Sequence, residues 1–209
     1  MINVVVDLSH HNGDVNLRAA KADGLVGVIH KATQGVDYSD PMYTRNRDLA
    51  LAAGLLWGAY HFGVGGEPEA QADHFLTVVD PDPEDLLVLD LETNPSGLTM
   101  SLAEARTFLT RVQSQVGRWP GLYSGNYLQE QLGDRTDDVL AKCWLWLARY
   151  GEPPRVPANW PTWTMWQYTD GHLGEEPHAV AGIGPCDRDQ FNGDLDGLRR
   201  LWGTSRPLA

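Results

Sequence analysis

The sequence predicts an α/β fold, an irregular barrel with βα units first and strands last. Three observations carry this reading. Apolar runs of strand length alternate with helical periodicity through the first half of the 209 residues. Those runs are continuous rather than alternating, as in strands buried on both faces. After Tyr123 the helical segments shorten and strand-like runs follow one another closely. An open, flavodoxin-like sheet is the other arrangement these elements allow.

Five strands are expected in the first part: Asn3 to Leu8, Val26 to Ala32, Leu56 to Phe62, Leu86 to Glu92 and Pro120 to Ser124. Between the second and third, Asp40 followed by Pro41 predicts an N-cap with proline in the first turn, and Gly54 stops that helix. Ser101 with Glu104 makes a capping box, and Leu102, Ala105, Phe108, Leu109, Val112 and Val116 form the stripe of the helix it opens. Three further strands are read at Cys143 to Tyr150, Thr162 to Thr169 and Cys186 to Phe191. Residues 194–202 read as one short helix, followed by a frayed end. No repeat or linker divides the chain, so one domain is expected over 1–209, its core at about 1–193.

Composition narrows the function. A net charge of −12 argues against non-specific binding to nucleic acid or anionic membranes, which needs clustered Lys and Arg. No stretch approaches the length of an apolar membrane span. The N-terminus lacks the pattern of a secretory signal, since Met1 to Val6 already reads as a strand. Two cysteines, Cys143 and Cys186, are too few for a disulfide framework and are expected as separate thiols. Eight Trp and seven Tyr are many for this size, and those at strand ends could stack on sugar faces.

The segment Leu86-Leu87-Val88-Leu89-Asp90-Leu91-Glu92 holds the most chemical information. Strand side chains alternate, so Asp90 and Glu92 share a side with Cα atoms roughly 6–7 Å apart. Two neighbouring buried carboxyls divide into an acid and a charged partner, which glycoside hydrolysis requires. Acidic residues end many strands, so the motif alone is weak. In a (β/α) barrel, however, function gathers at the C-terminal strand ends. Here those ends carry Asp7, Lys31, Tyr60 with His61, the Asp90–Glu92 pair, Tyr123 and Trp146, with Gln167 and Asp187 on the last strands.

In that order the segments resemble glycoside hydrolase family 25, the lysozymes of many phages, bacteria and fungi. Asp7-Leu8-Ser9-His10-His11-Asn12-Gly13 is similar to the family's first strand and loop, and Val28 to Gly35 to its second strand. Gly58-Ala59-Tyr60-His61-Phe62 resembles the third, and Val88 to Glu92 the catalytic Asp-x-Glu strand. Leu145 to Tyr150, Met165 to Tyr168 and Cys186 to Phe191 resemble the late strands. The resemblance implies a TIM-barrel-like (β/α)5(β)3 fold and cleavage of the β-1,4 bond after N-acetylmuramic acid in peptidoglycan. It implies Glu92 as general acid and Asp90 as charged partner, either stabilising the developing cation or steering the substrate's acetamido group. Asp7, Asp187, Tyr60, Tyr123, Trp146, Gln167 and Tyr168 would line the cleft, and Lys31 is expected beside them. No metal or cofactor is expected, and a monomer is. The setting implied is the bacterial wall, reached by a phage lysin through a holin pore or by a secreted enzyme without its signal.

There are departures from the family pattern. Gln34 stands where many relatives have Glu, Asp189 where Asn is common, and His30 interrupts an apolar strand. A metal-dependent deacetylase using Asp7, His10 and His11 is disfavoured because no further ligand spacing follows. A silent glycan-binding protein is disfavoured by the intact Asp90 and Glu92. A serine nucleophile lacks its G-x-S-x-G turn. His61 is expected to pack or to orient Tyr60 rather than to titrate.

Overall fold

A computed structural model describes residues 1–203. Eight strands close a barrel: β1 (Ile2–Leu8), β2 (Gly27–Gln34), β4 (Leu56–Phe62), β5 (Leu86–Asp90), β6 (Gly121–Ser124), β7 (Trp144–Ala148), β8 (Met165–Thr169) and β11 (Asp187–Phe191). Three two-residue pieces, β3 (Tyr38–Ser39), β9 (Ala179–Val180) and β10 (Gly184–Pro185), lie outside that ring. Neighbours from β1 through β2, β4, β5, β6 and β7 to β8 are parallel. The last strand, β11, closes the ring antiparallel to both β8 and β1.

Helices follow the first five staves: α1 (Leu17–Ala22), α2 (Tyr43–Ala52), α3 (Pro68–Val79), α4 (Leu102–Val116) and α5 (Asn126–Leu132). Then come strands alone and a last helix, α6 (Leu195–Leu201). This is the expected irregular barrel, and its closure through the β1–β2 pairing excludes the open sheet. The expected tail helix is α6, capped by Asp194. The expected frayed end lies outside the described residues.

Local chemistry explains the helix ends. Ser101 and Glu104 cap α4 reciprocally, and the stripe Ala105, Phe108, Leu109 and Val112 is buried against the outer wall. The Asp40 reading needs correction: α2 begins at Tyr43, after Met42, and has no side-chain cap. The Asp40 carboxylate instead accepts from the Met42 amide and from both the backbone N–H and Nδ1 of His10. A buried carboxylate with three donors satisfies more of its lone pairs in that loop than as a single-bond cap.

Two apolar layers result. Helices pack on the outer wall around Leu8, Val28, Trp57, Phe75, Phe108 and Leu145. Inside, Val5, Ile29, Leu56, Leu86, Val88, Met165 and Phe191 fill the lower barrel, where Leu198 and Trp202 from the α6 segment stop the opening. The Trp202 indole donates to the Trp57 carbonyl at 2.8 Å and lies against Gly27, where a Cβ would come within 3.4 Å of the ring. Cys143 and Cys186 are separate, buried thiols, and burial pushes both up to about 12.

Candidate active site

The upper end of the barrel is polar. Seven parallel strands finish there and β11 starts there, so Asp187 joins residues from strand C-termini. Asp7, Tyr60, Asp90, Glu92, Tyr123, Trp146, Tyr150, Gln167 and Asp187 line one pocket of about 220 Å³. Strand alternation aims them inward, since most sit two or four residues beyond an inner-core residue of the same stave, as Asp7 beyond Val5 and Asp90 beyond Val88, while Asp187 lies four residues before Phe191 on the reversed strand. The strand β5 ends at Asp90 rather than Glu92, but the Leu91 amide still donates to the Tyr123 carbonyl. That bond keeps the backbone extended, and both carboxyls reach the same pocket.

The walls are fastened by a polar network. Gln167 sits at its centre: its Oε1 accepts from the hydroxyls of Tyr123 at 3.0 Å and Tyr150 at 2.8 Å. Its Nε2 donates to Asp7 Oδ2 at 2.8 Å. The Tyr123 ring meets Trp146 edge-on with centroids 4.6 Å apart. Below them the Trp146 indole donates to the buried Asp189 at 2.8 Å. At the other wall the Gly125 amide donates to Glu92. A Cβ on Gly125 would stand 3.2 Å from Glu92 Oε1, so a glycine lets the backbone approach this carboxyl closely.

Burial and crowding set the electrostatics. Asp90, 7% exposed, is lifted well above the usual carboxylate range by burial and then by Glu92, while Lys31 opposes. Burial also raises Glu92, against the Gly125 hydrogen bond. Asp187 rises to about 6, through burial and then the charges of Asp170 and Glu92. Burial holds the Tyr60 and Tyr123 hydroxyls protonated, and the surrounding carboxylates add to it. A pocket with so many carboxyls and little positive charge retains protons near neutral pH, which supplies an acid.

Two expected cleft residues fall elsewhere. Tyr168 follows the inward Gln167 and therefore points out of the barrel. It is buried there, donating to the Pro177 carbonyl at 2.9 Å and meeting the Asn3 amide at 2.5 Å. Lys31 stands beside the pocket rather than in its lining. It donates to Gln34 Oε1 at 2.7 Å and lies 5.1 Å from the Phe62 ring centroid, so its hydrogen-bond partner is an amide and its nearest carboxylate influence is Asp90.

The histidines have structural tasks. His30 is closed in between the Lys31 carbonyl at 2.7 Å and the Asn46 amide at 3.0 Å, which explains a polar residue in an apolar strand. His61 packs on Phe108 between Thr33 and Gln71 rather than orienting Tyr60, and burial lowers it to about 3. His10 belongs to Asp40. The sequence reading missed Tyr150, which lies beyond the end of β7. The alternation Trp146, Ala148, Tyr150 within the expected strand Cys143 to Tyr150 turns it to the same side as Trp146 and is the signal that could have found it.

Comparison with known proteins gives one consistent answer. The family described as "Glycosyl hydrolases family 25" matches residues 6–175. "Lysozyme M1" of Streptomyces globisporus is 32% identical, over 94% of this chain and 70% of that protein. "N,O-diacetylmuramidase" of a Chalaropsis species is 29% identical, over 93% of this chain and 96% of its own. The solved structure of a bacterial lysozyme from Streptomyces coelicolor superposes with a TM-score of 0.82 at 33% identity, covering 94% of both chains.

Proposed function

The chain belongs to glycosyl hydrolases family 25, and from that premise we propose that Glu92 and Asp90 are the working pair of a lysozyme. The enzyme is a glycoside hydrolase acting on the glycan strands of bacterial peptidoglycan. The bond we assign is the β-1,4 linkage after N-acetylmuramic acid. The observation supporting the roles is the pair itself: a buried Asp90 and a half-buried Glu92, two residues apart and facing one pocket, where Glu92 raises Asp90 and Lys31 opposes.

The pair titrates together and retains one proton in the working range. In the productive state that proton sits on Glu92, which delivers it to the departing glycosidic oxygen. The bond to the anomeric carbon breaks and positive charge develops on the sugar ring. Asp90, ionised, stabilises that charge or steers the substrate's acetamido oxygen onto the anomeric carbon. Water then completes hydrolysis, leaving a new reducing end on muramic acid and restoring the Glu92 proton. The residue separation along one strand suits acetamido assistance. Tyr60, Tyr123, Trp146 and Tyr150 offer the ring faces and hydroxyls for the sugars, with Asp7 and Asp187 in the acidic wall.

Mass spectrometry of borohydride-reduced digests of purified walls tests the bond. Muramitol at the new ends is the expected product. Reduced glucosamine ends would make the enzyme a glucosaminidase, and free amines without reducing ends would make it an amidase or peptidase. The place of action is the bacterial wall. We read its delivery as release of a phage lysin or secretion. Among the described residues no helix is long and apolar enough to cross a membrane.

A further inference from the structure

Beneath the pocket lies a second carboxyl pair that the proposed chemistry does not use. Asp189 is fully buried. Its Oδ1 accepts from the Trp146 indole at 2.8 Å, while its Oδ2 has no hydrogen-bond donor among the described residues. Asp7 can supply one when protonated. Strands β1 and β11 pair antiparallel with Val5 opposite Asp189 and Asp7 opposite Asp187, which makes Asp7 and Asp189 diagonal neighbours on the inner face. Gln167, which donates to Asp7, stands directly opposite Asp189 on β8, so the two carboxyls adjoin and act on each other.

The surroundings fix what each oxygen can do. Both tyrosine hydroxyls donate to Gln167 Oε1, so its amide nitrogen must face Asp7. Asp7 and Asp189 thus receive one neutral donor each, from Gln167 and Trp146. The nearby charges are mostly of the wrong sign: Asp187 on the same inner face and Asp90 from β5. Arg188, adjacent to Asp189 in sequence, points outward to the Ala179 carbonyl and Asn3, and Lys31 acts chiefly on Asp90. Two adjacent ionised carboxylates in that setting would be far from adequately compensated.

We propose that Asp7 and Asp189 share one proton across the working pH range, making Asp189 the positioning residue that holds Asp7 against Gln167 in the pocket wall. Burial first and then the charge of Asp187 raise both groups well above their ordinary range, in agreement with a retained proton; Asp189 raises Asp7 further, whereas the hydrogen bond with Asp7 opposes the rise at Asp189. The pair therefore carries a single negative charge. Asp189 touches no substrate and acts only through Asp7.

Asp189→Asn tests the proton directly. An asparagine can offer Nδ2–H permanently to an ionised Asp7 and its oxygen to Trp146, preserving shape and the single charge. In the wild type the unfolded chain loses both protons above the ordinary carboxyl range, whereas the folded chain keeps one. Stability must therefore fall as pH rises, by about tenfold in the folding constant per pH unit while that proton is retained. The Asn variant lacks this loss, so its Tm should gain on the wild type steadily from about pH 5 to about pH 8. Parallel Tm–pH curves would overturn the shared proton.

The positioning role has its own readout. Asp189→Ala should lower kcat/KM on wall glycan by about tenfold or more, and Asp189→Asn should restore most of it. Equal activity of the Ala and Asn variants would sink that role. This arm rests on the lysozyme reading and the thermal arm does not, so the two can fail separately. If the Asn variant does not fold, carbon-13 carboxyl NMR of aspartate-labelled Asp90→Asn protein at about pH 7 decides the matter. A retained aspartate proton supports the pair, and a full set of ionised aspartates overturns it.

Discussion

The two ends of the barrel interior are built from the same staves and the same inward-facing positions, yet they do opposite things. On β1 Val5 lies below and Asp7 above; on β5 Val88 precedes Asp90; on β8 Met165 precedes Gln167. The lower end is apolar and stopped by Trp202, whereas the upper end is a polar pocket crowded with carboxyls. One step of two residues separates groups that stabilise the fold from groups whose burial opposes it. The lower core and the outer helices must therefore supply the stability that the upper pocket consumes.

The sharpest way to break this division is at Glu92. Replacing it with Gln preserves shape but removes the deliverable proton, so kcat on walls should fall by roughly 10²–10⁴. Tm should hold or rise, because a half-buried ionisable group is lost. Near-native turnover would leave the proposed acid without a role.

Asp90→Asn should cost slightly less, roughly 10²–10³ in kcat, by removing the charge opposite the developing cation. It also sharpens the pair assignment. Without a negative neighbour Glu92 ionises more easily, so the basic limb of the kcat–pH profile should move to lower pH. A limb that stays in place would show the two carboxyls to be uncoupled.

At the other end, Trp202→Ala should destabilise the fold by roughly 3–5 kcal/mol, read from denaturant unfolding, while kcat below the transition stays near native. A loss of kcat without loss of stability would contradict the separation of the two ends.

His61 gives a prediction for the outer layer. Its folded value of about 3 lies far below the ordinary histidine range, since burial disfavours the cation. The unfolded chain takes up that proton first, so stability present above about pH 6.5 should decline by about 1.4 kcal/mol per pH unit as acid is added, down to about pH 3. His61→Gln should flatten that acid slope; an unchanged slope would assign it to other groups. The smallest effect is expected at Tyr150→Phe. It removes one of two hydroxyls from Gln167 Oε1, worth about 1 kcal/mol, and should appear as a few-fold rise in KM.

Much of this molecule is legible in the chain itself. Continuous apolar runs announce two-sided burial, the capping box places α4, and the two-residue alternation of a strand turns Asp90 and Glu92 to one side. These are local signals: they depend on period, on a cap three residues away, or on a two-residue repeat. The misreadings came where local and distant partners compete. Asp40 next to proline looks like a cap, but His10, thirty residues earlier, claims its carboxylate. Tyr168 sits in an aromatic strand end, but the inward place belongs to Gln167, and the strand cannot turn both residues the same way.

Sequence alone thus determined the barrel's elements, their order and the residue types gathered at the strand ends, because hydrophobic periodicity and backbone alternation act over a few residues. Tertiary structure alone decided which of those residues meet. The antiparallel return of β11 sets Asp187 opposite Asp7 and brings Asp189 beside it, while Gln167 joins Tyr123, Tyr150 and Asp7 across 160 residues of chain. Their protonation follows from that meeting. A carboxyl's affinity for its proton depends on the charges, donors and depth around it, and those exist only once the ring of strands has closed.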